Sequence, residues 1–266
     1  MPEIAPFVRF SWKSPEIARK YEPMKARIER LCYQVEYETV KRGLRAANVF
    51  HMTPRSFDKQ IEQITLDGLV FLPILRSKQY QGYSHRHYPV GSLDMNSFVY
   101  GVVAKDVKTA LEFREAHKGK TDHMTIGRLL GYPECCVKFF VEKWSQGILD
   151  LTYETATNTP DCVVKGQTVI VQGSPFVNTL LRYFGFKICP FFTCSFQCDK
   201  AIAFGKRWFD IMKELDKQAA EVLLEFLSMR AKWSMRNLII FVEHPLFTGA
   251  TIGFESPYRE VIWSES

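Results

Sequence analysis

Gly127–Phe140 reads Gly-Arg-Leu-Leu-Gly-Tyr-Pro-Glu-Cys-Cys-Val-Lys-Phe-Phe, and the rest of the chain is best read outward from it. Leu129 and Leu130 end one apolar helical stretch at Gly131-Tyr132, because glycine readily takes the left-handed conformation of a helix cap. Pro133 suits the first turn of a new helix, where its missing N–H removes no bond. That helix is predicted to carry Val137, Phe139, Phe140 and Trp144 and to stop near Gly147. Cys135 and Cys136 fall in its first turn, where unpaired N–H groups and the positive end of the dipole favour a thiolate.

About fifty residues later Cys189, Cys194 and Cys198 follow as Cys-x4-Cys-x3-Cys, so five of the seven cysteines lie in two short clusters. Ser195 is expected to cap a helix that begins near Phe196, leaving Cys194 just outside and Cys198 in the first turn. Two helix starts that present sulfur make a site for a cation, an iron–sulfur cluster or an activated nucleophile.

The 266 residues suffice for one large domain or two small ones, and 46% hydrophobic with 24% charged content is ordinary for a soluble globular protein. A net charge of +6 permits an anionic partner such as nucleic acid or a nucleotide without demanding one. No apolar run approaches the ~18–20 residues needed to span a bilayer. The N-terminus Met1-Pro2-Glu3-Ile4-Ala5-Pro6 lacks the pattern of a signal peptide, so a cytoplasmic location is expected. In that reducing setting cysteines read as ligands or nucleophiles before disulfides, and their odd number agrees.

Periodicity predicts a helical N-terminal segment over 14–46, opened at Ser14-Pro15-Glu16 and restarted at Pro23. Met24, Ile28, Leu31, Cys32 and Val35 form its apolar stripe, and Lys41, Arg42 and Arg45 its solvated end. Cys32 is therefore expected as a small core residue, and Cys162 as an ordinary thiol. Strands are predicted at 48–53, at 69–75 near a sheet edge because of Pro73, at 97–104 and at 238–243. Helices are predicted at 56–66, after Asp106, after Thr121 or Asp122, over Pro175–Phe184 and from Phe196 to about Trp233. The stretch 149–173, rich in threonine, reads as a loop or small subdomain, and Pro245 to Ser266 as turns and a short extended tail. Together these give an α+β or α/β fold with a mixed sheet and several helices. A single compact domain, 1–266, is expected, its cysteine-bearing core at 97–233.

The Lys78–Val90 loop holds Tyr80, Tyr83, His85, Arg86, His87 and Tyr88. Either it is a solvated loop, or His85, Arg86 and His87 contact a substrate, a metal or a phosphate. His123, at the start of the helix leading into the first cysteine pair, is a candidate proton carrier, a fourth ligand or a simple surface residue. The Gly-x-Gly-x-x-Gly, Walker, His-Glu-x-x-His and Gly-x-Ser-x-Gly motifs are absent, which disfavours the nucleotide and hydrolase classes they mark.

Leu130-Gly131-Tyr132-Pro133-Glu134-Cys135-Cys136 with Phe139-Phe140, and the later Cys194-Ser195-Phe196-Gln197-Cys198, resemble the paired motifs of an uncharacterised prokaryotic domain family. The resemblance covers about Tyr100–Ala203. Thr193 stands where that family usually has proline. The resemblance implies shared cysteine chemistry and an association with modified, including deazaguanine-type, nucleobases.

Three functions follow as expectations. The first is an enzyme with a cysteine-ligated zinc or iron–sulfur cluster acting on a nucleobase. Cys136, Cys189, Cys194 and Cys198 are then ligands, with Cys135 alternating with Cys189 as the fourth, and Cys135 and His123 are the catalytic candidates. The second is a non-catalytic nucleic-acid-binding module with structural zinc. The third is a cysteine-nucleophile hydrolase of amides or nitriles.

Overall fold

A computed structural model describes residues 7–78, 88–89, 97–253 and 257–264. In chain order the elements begin with β1 (Val8–Trp12), α1 (Pro15–Lys41), β2 (Ala47–Met52), α2 (Phe57–Leu66), β3 (Val70–Lys78), β4 (Tyr88–Pro89) and β5 (Ser97–Ala104). Then come α3 (Val107–Glu115), α4 (His123–Leu129), α5 (Glu134–Ser145), α6 (Thr152–Thr157), β6 (Val163–Lys165) and β7 (Thr168–Val171). The long α7 (Asp199–Ser228) precedes β8 (Ala231–Arg236), β9 (Ile239–Glu243), β10 (Phe247–Ile252) and β11 (Arg259–Trp263). The fold is α+β. The described residues divide into two compact units, and the divisions fall inside helices, after Val35 in α1 and after Val137 in α5.

The unit from Glu36 to Val137 is built on an antiparallel sheet ordered β2-β5-β3-β4. β5 is apolar on both faces because both are covered. Val102 and Ala104 pack with Ala110 and Phe113 of α3 and Leu129 of α4, while Val103 packs with Val40, Met52 and Ile64. Asp106 caps α3 by accepting the N–H of Thr109 at 2.7 Å, as the sequence predicts. Pro73 sits where the register of β3 against β5 shifts, and β4 meets only Ser77 and Lys78, so most of β3 has no partner on its other side among the described residues.

Arg45 departs from expectation. It is not a solvated helix end: it is 3% exposed and folds back on the end of α1, donating to Thr39 Oγ1 at 2.9 Å and to the carbonyl of Glu36 at 2.7 Å. Thr39 Oγ1 itself donates to the Glu36 carbonyl at 3.0 Å, so the guanidinium joins a hydrogen-bonded group within the last turns of α1.

The other unit, up to Val35 and from Lys138 on, carries a seven-stranded sheet ordered β1-β10-β9-β8-β11-β7-β6. Its pairs are antiparallel except β11 with β7. The expected tail after Pro245 is thus two strands, with β11 in the interior of the sheet. α7 ends at Ser228, and Trp233 lies in β8, fully buried. Pro175–Phe184 forms two short 3-10 turns in place of a helix. α1 runs through Pro23 without a restart; Pro23 and Arg19, whose carbonyl loses its bond, are both exposed, so water can replace it.

His244 is buried in this unit against Phe247, ring centroids 4.6 Å apart. Its Nδ1 accepts the N–H of Leu246 at 3.3 Å, which fixes Nε2 as the donor to the carbonyl of Phe226 at 3.1 Å. A neutral ring satisfies both bonds, and burial pushes its pKa from 6.5 down to about 4. The folded state therefore binds fewer protons here than the unfolded chain between those values. Stability is full above pH 6.5 and falls as the pH drops toward 4, by at most about 3 kcal/mol. Melting temperatures measured from pH 7.5 to 4.5 should fall less steeply in His244→Gln than in the wild type. Equal slopes would remove His244 from the account.

Candidate metal centre

The first cysteine pair is placed by a chain of backbone devices. Asp122 opens α4 by accepting the N–H groups of Met124 and Thr125, each at 3.1 Å. α4 closes in a Schellman arrangement: Tyr132 N–H bonds the carbonyl of Gly127, and Gly131 N–H that of Arg128, both at 3.0 Å. Gly131 has φ +72°, and the stem of Arg45 lies 3.2 Å from where its Cβ would stand. Pro133 then starts α5, its carbonyl accepting from Cys136 and Val137 at 2.9 and 3.0 Å. The two cysteines occupy the first turn as predicted, with their sulfurs 4.0 Å apart. Further along the same helix, Phe139 and Phe140 pack with Leu151, Phe192 and Cys194.

The second motif differs from expectation by one turn. Ser195 Oγ accepts the N–H of Gln197 at 3.0 Å, and the Ser195 carbonyl that of Cys198 at 3.2 Å, which makes a tight turn and not a helix. Cys198 keeps extended backbone (φ −67°, ψ 109°) and is the N-cap of α7, its carbonyl accepting from Ile202 at 2.9 Å. Gln197 ties the turn to its surroundings through the carbonyls of Gln172 and Pro160, at 3.0 and 3.3 Å.

The sulfurs of Cys135, Cys136, Cys194 and Cys198 all lie within 4.8 Å of one another. Cys136 is 1% exposed, and the other three are half-buried. Four thiolates at ~2.3 Å from one tetrahedral ion stand ~3.8 Å apart, so the donor set fits a single ion after a small contraction. These four residues can hold a metal.

Cys189 lies outside this group and Cys135 completes it. Cys189 is 1% exposed, and its thiol points at the carbonyl of Phe191, 3.5 Å away. Burial pushes that thiol up to about 12, the opposite of what a ligand needs. Cys32 is the core residue expected, its sulfur 3.3 Å from the carbonyl of Lys187. Cys162 is half-buried and bonds the carbonyl of Thr157 at 3.5 Å.

His123 is the first residue of α4 and half-buried; it is not a member of the sulfur group. Burial lowers its pKa and the neighbouring His117 lowers it further, against Asp122. His117, passed over in the sequence, bonds the carbonyl of Phe113 through Nδ1 at 3.0 Å and Tyr100 Oη through Nε2 at 3.1 Å. His85, Arg86 and His87 lie outside the described residues. Thr155, Asn158 and Thr159, which hold the second motif, read only as loop markers in the sequence. Their signal was the spacing i, i+3, i+4, which shares one helix face.

Residues 111–225, which include both cysteine motifs, match the model of a family described as a protein of unknown function, DUF483. An uncharacterized protein of Methanocaldococcus jannaschii is 28% identical over 172 residues, covering 55% of this chain and 84% of that protein. No solved structure matches the chain. Both matches agree with the resemblance to an uncharacterised prokaryotic family carried by the motifs. Among the described residues no helix is long and apolar enough to cross a membrane.

Proposed function

We propose that this is a metalloprotein in which Cys135, Cys136, Cys194 and Cys198 bind one tetrahedral ion, with zinc the first candidate. The observation that carries this is the 4.8 Å limit on every sulfur–sulfur separation. A multinuclear iron–sulfur cluster spreads its thiolates over separate irons and needs them farther apart than one ion does. Four protein ligands make a closed site of the structural type, in which the ion's binding energy is folding energy. That supports a zinc-stabilised module.

A catalytic reading is favoured by one further observation: three of the four residues, Cys135, Cys194 and Cys198, are partly exposed and not buried as Cys136 is. Cys135, which shares a helical turn with the buried Cys136, is then the ligand that gives way to open a coordination position. A nucleobase or modified base is the substrate class to test, on the motif resemblance and the net charge of +6. A cysteine-nucleophile hydrolase is less supported, since among the described residues no histidine belongs to the sulfur group.

Protein purified without oxygen is expected to contain one equivalent of zinc and to be colourless. Brown protein with iron and sulfide in equal amounts would replace the mononuclear site by a cluster. Cobalt(II)-substituted protein titrated with guanine, 7-deazaguanine and cytosine separates the two roles. A change in its visible bands supports the enzyme, and unchanged bands at saturating base leave the structural ion.

A further inference from the structure

We infer that Thr155, Asn158 and Thr159 are positioning residues for the metal centre, setting the backbone of Cys194, and with it the direction of its Cα–Cβ bond, before any ion arrives. This rests on the four-cysteine ion site proposed above. Thr155 Oγ1 donates to the carbonyl of Thr193 at 2.7 Å, and Asn158 Nδ2 donates to the carbonyl of Cys194 at 2.7 Å. Those carbonyls belong to the two peptide planes that flank the Cα of Cys194. A plane held at its oxygen cannot turn, so φ and ψ of Cys194 are fixed, and with them the direction of its Cβ.

The next plane is held from the same place. Thr159 Oγ1 accepts the N–H of Phe196 at 2.9 Å while donating to the carbonyl of Thr155 at 2.8 Å. One hydroxyl therefore has both its donor and an acceptor position used, and three consecutive peptide units are tied to the end of α6. Thr155 and Thr159 are buried and Asn158 is exposed.

α6 is itself anchored. Asp150 Oδ1 accepts the N–H of Thr152 at 2.7 Å at its start, and the other oxygen of Asp150 accepts from Tyr183. Glu154 pairs with Arg259 of β11 at 3.2 Å. The helix thus works as a strut between the sheet and the cysteine turn. Its polar face does what second-shell partners of metal ligands do: it removes the freedom that binding would otherwise have to remove.

The test compares wild type with Asn158→Asp, Thr155→Val, Thr155→Ser and the control Thr157→Val. Zinc affinity is measured by competition with a chromogenic chelator, and the cobalt(II) spectrum is recorded for each. Asn158→Asp sets a carboxylate against the Cys194 carbonyl on an exposed side chain, so the protein still folds. It is expected to bind zinc about 10- to 100-fold more weakly, with altered cobalt bands. Thr155→Val is expected to lose about tenfold and Thr155→Ser, which keeps the hydroxyl, to regain wild-type affinity. Thr157→Val, whose hydroxyl bonds its own helix at the carbonyl of Glu154, should bind as the wild type does. Asn158→Asp binding zinc as tightly as wild type, with unchanged cobalt bands, overturns the inference. Wild type that takes up no zinc overturns the ion site instead, and this inference with it.

Discussion

The Cys136→Ser protein is expected to be purified without its zinc and to melt about 8–16 °C below the wild type. Cys136 is the one buried member of the sulfur group, 1% exposed, and serine offers a neutral hydroxyl where a thiolate must sit. Losing an outer partner of a ligand weakens metal binding by about 10- to 100-fold, so losing a ligand should exceed that. If zinc is present at about a thousand times its dissociation constant, the ion contributes about 4 kcal/mol to stability, and that contribution disappears. For a chain of this size about 2–4 °C accompanies each kcal/mol, which gives the stated interval.

Metal analysis and melting curves with and without chelator decide the matter. Chelator should lower the melting point of the wild type and leave Cys136→Ser where it is. Cys189→Ala is the companion variant, because Cys189 is equally buried and belonged to the ligand set read from the sequence. It should keep a full equivalent of zinc and lose only about 1 kcal/mol, the ordinary effect of a core substitution. Zinc lost from Cys189→Ala and kept by Cys136→Ser would reverse the assignment.

The choice between Cys135 and Cys189 as the fourth ligand, left open by the sequence, shows where spacing stops being informative. Spacing brought Cys189 into the second cluster, four residues before Cys194. It is 1% exposed, and the stretch before it, Pro175–Phe184, expected as one helix, forms two 3-10 turns. Local chemistry was legible where one residue type decides the geometry. Gly131 took its left-handed turn, Asp106 and Asp122 capped their helices, and Cys135 and Cys136 fell in a first turn.

What depends on distant partners was not legible. β10 reads Phe-Thr-Gly-Ala-Thr-Ile, with Gly249 and Ala250, types depleted in strands, at its centre. It is a strand because β1, some 240 residues earlier, and β9 pair with it on either side. Trp233 continued the apolar period of α7, but Arg230 is followed by an alternating buried and half-buried pattern that only the sheet reveals. At the metal centre the four sulfurs were readable only as members of two clusters, a pair and a group of three that included Cys189. The three side chains that orient Cys194 were not, because threonine and asparagine near a helix end ordinarily mark a loop.

Two glycines give the largest steric test of the same geometry, one behind each cysteine motif. In Gly127→Ala the new Cβ would stand 2.5 and 2.7 Å from the two methyl groups of Val137, the residue after Cys136. Val137 is 6% exposed and β-branched, so it cannot turn both methyls away. Helix propensity alone would favour alanine here by about 1 kcal/mol, so any loss reports the clash. The expected net loss is about 2 kcal/mol, and Val137→Ala in the same chain should recover most of it by removing both methyls.

Gly173→Ala has no such remedy. Its Cβ would meet Phe196 Cβ at 2.5 Å and the Phe196 carbonyl oxygen at 2.6 Å, and that oxygen also accepts the N–H of Ser174 at 2.9 Å. Backbone cannot be truncated, so the turn between Cys194 and Cys198 must move. A loss of about 3 kcal/mol is expected, together with zinc affinity reduced by more than about tenfold. The sign of the comparison matters more than either value: the Gly127 clash is with a removable side chain and the Gly173 clash is with the ligand-bearing backbone. Gly173→Ala protein with wild-type melting and wild-type zinc affinity would show that the turn has room to yield, and its rigidity could then no longer be credited with presetting the site.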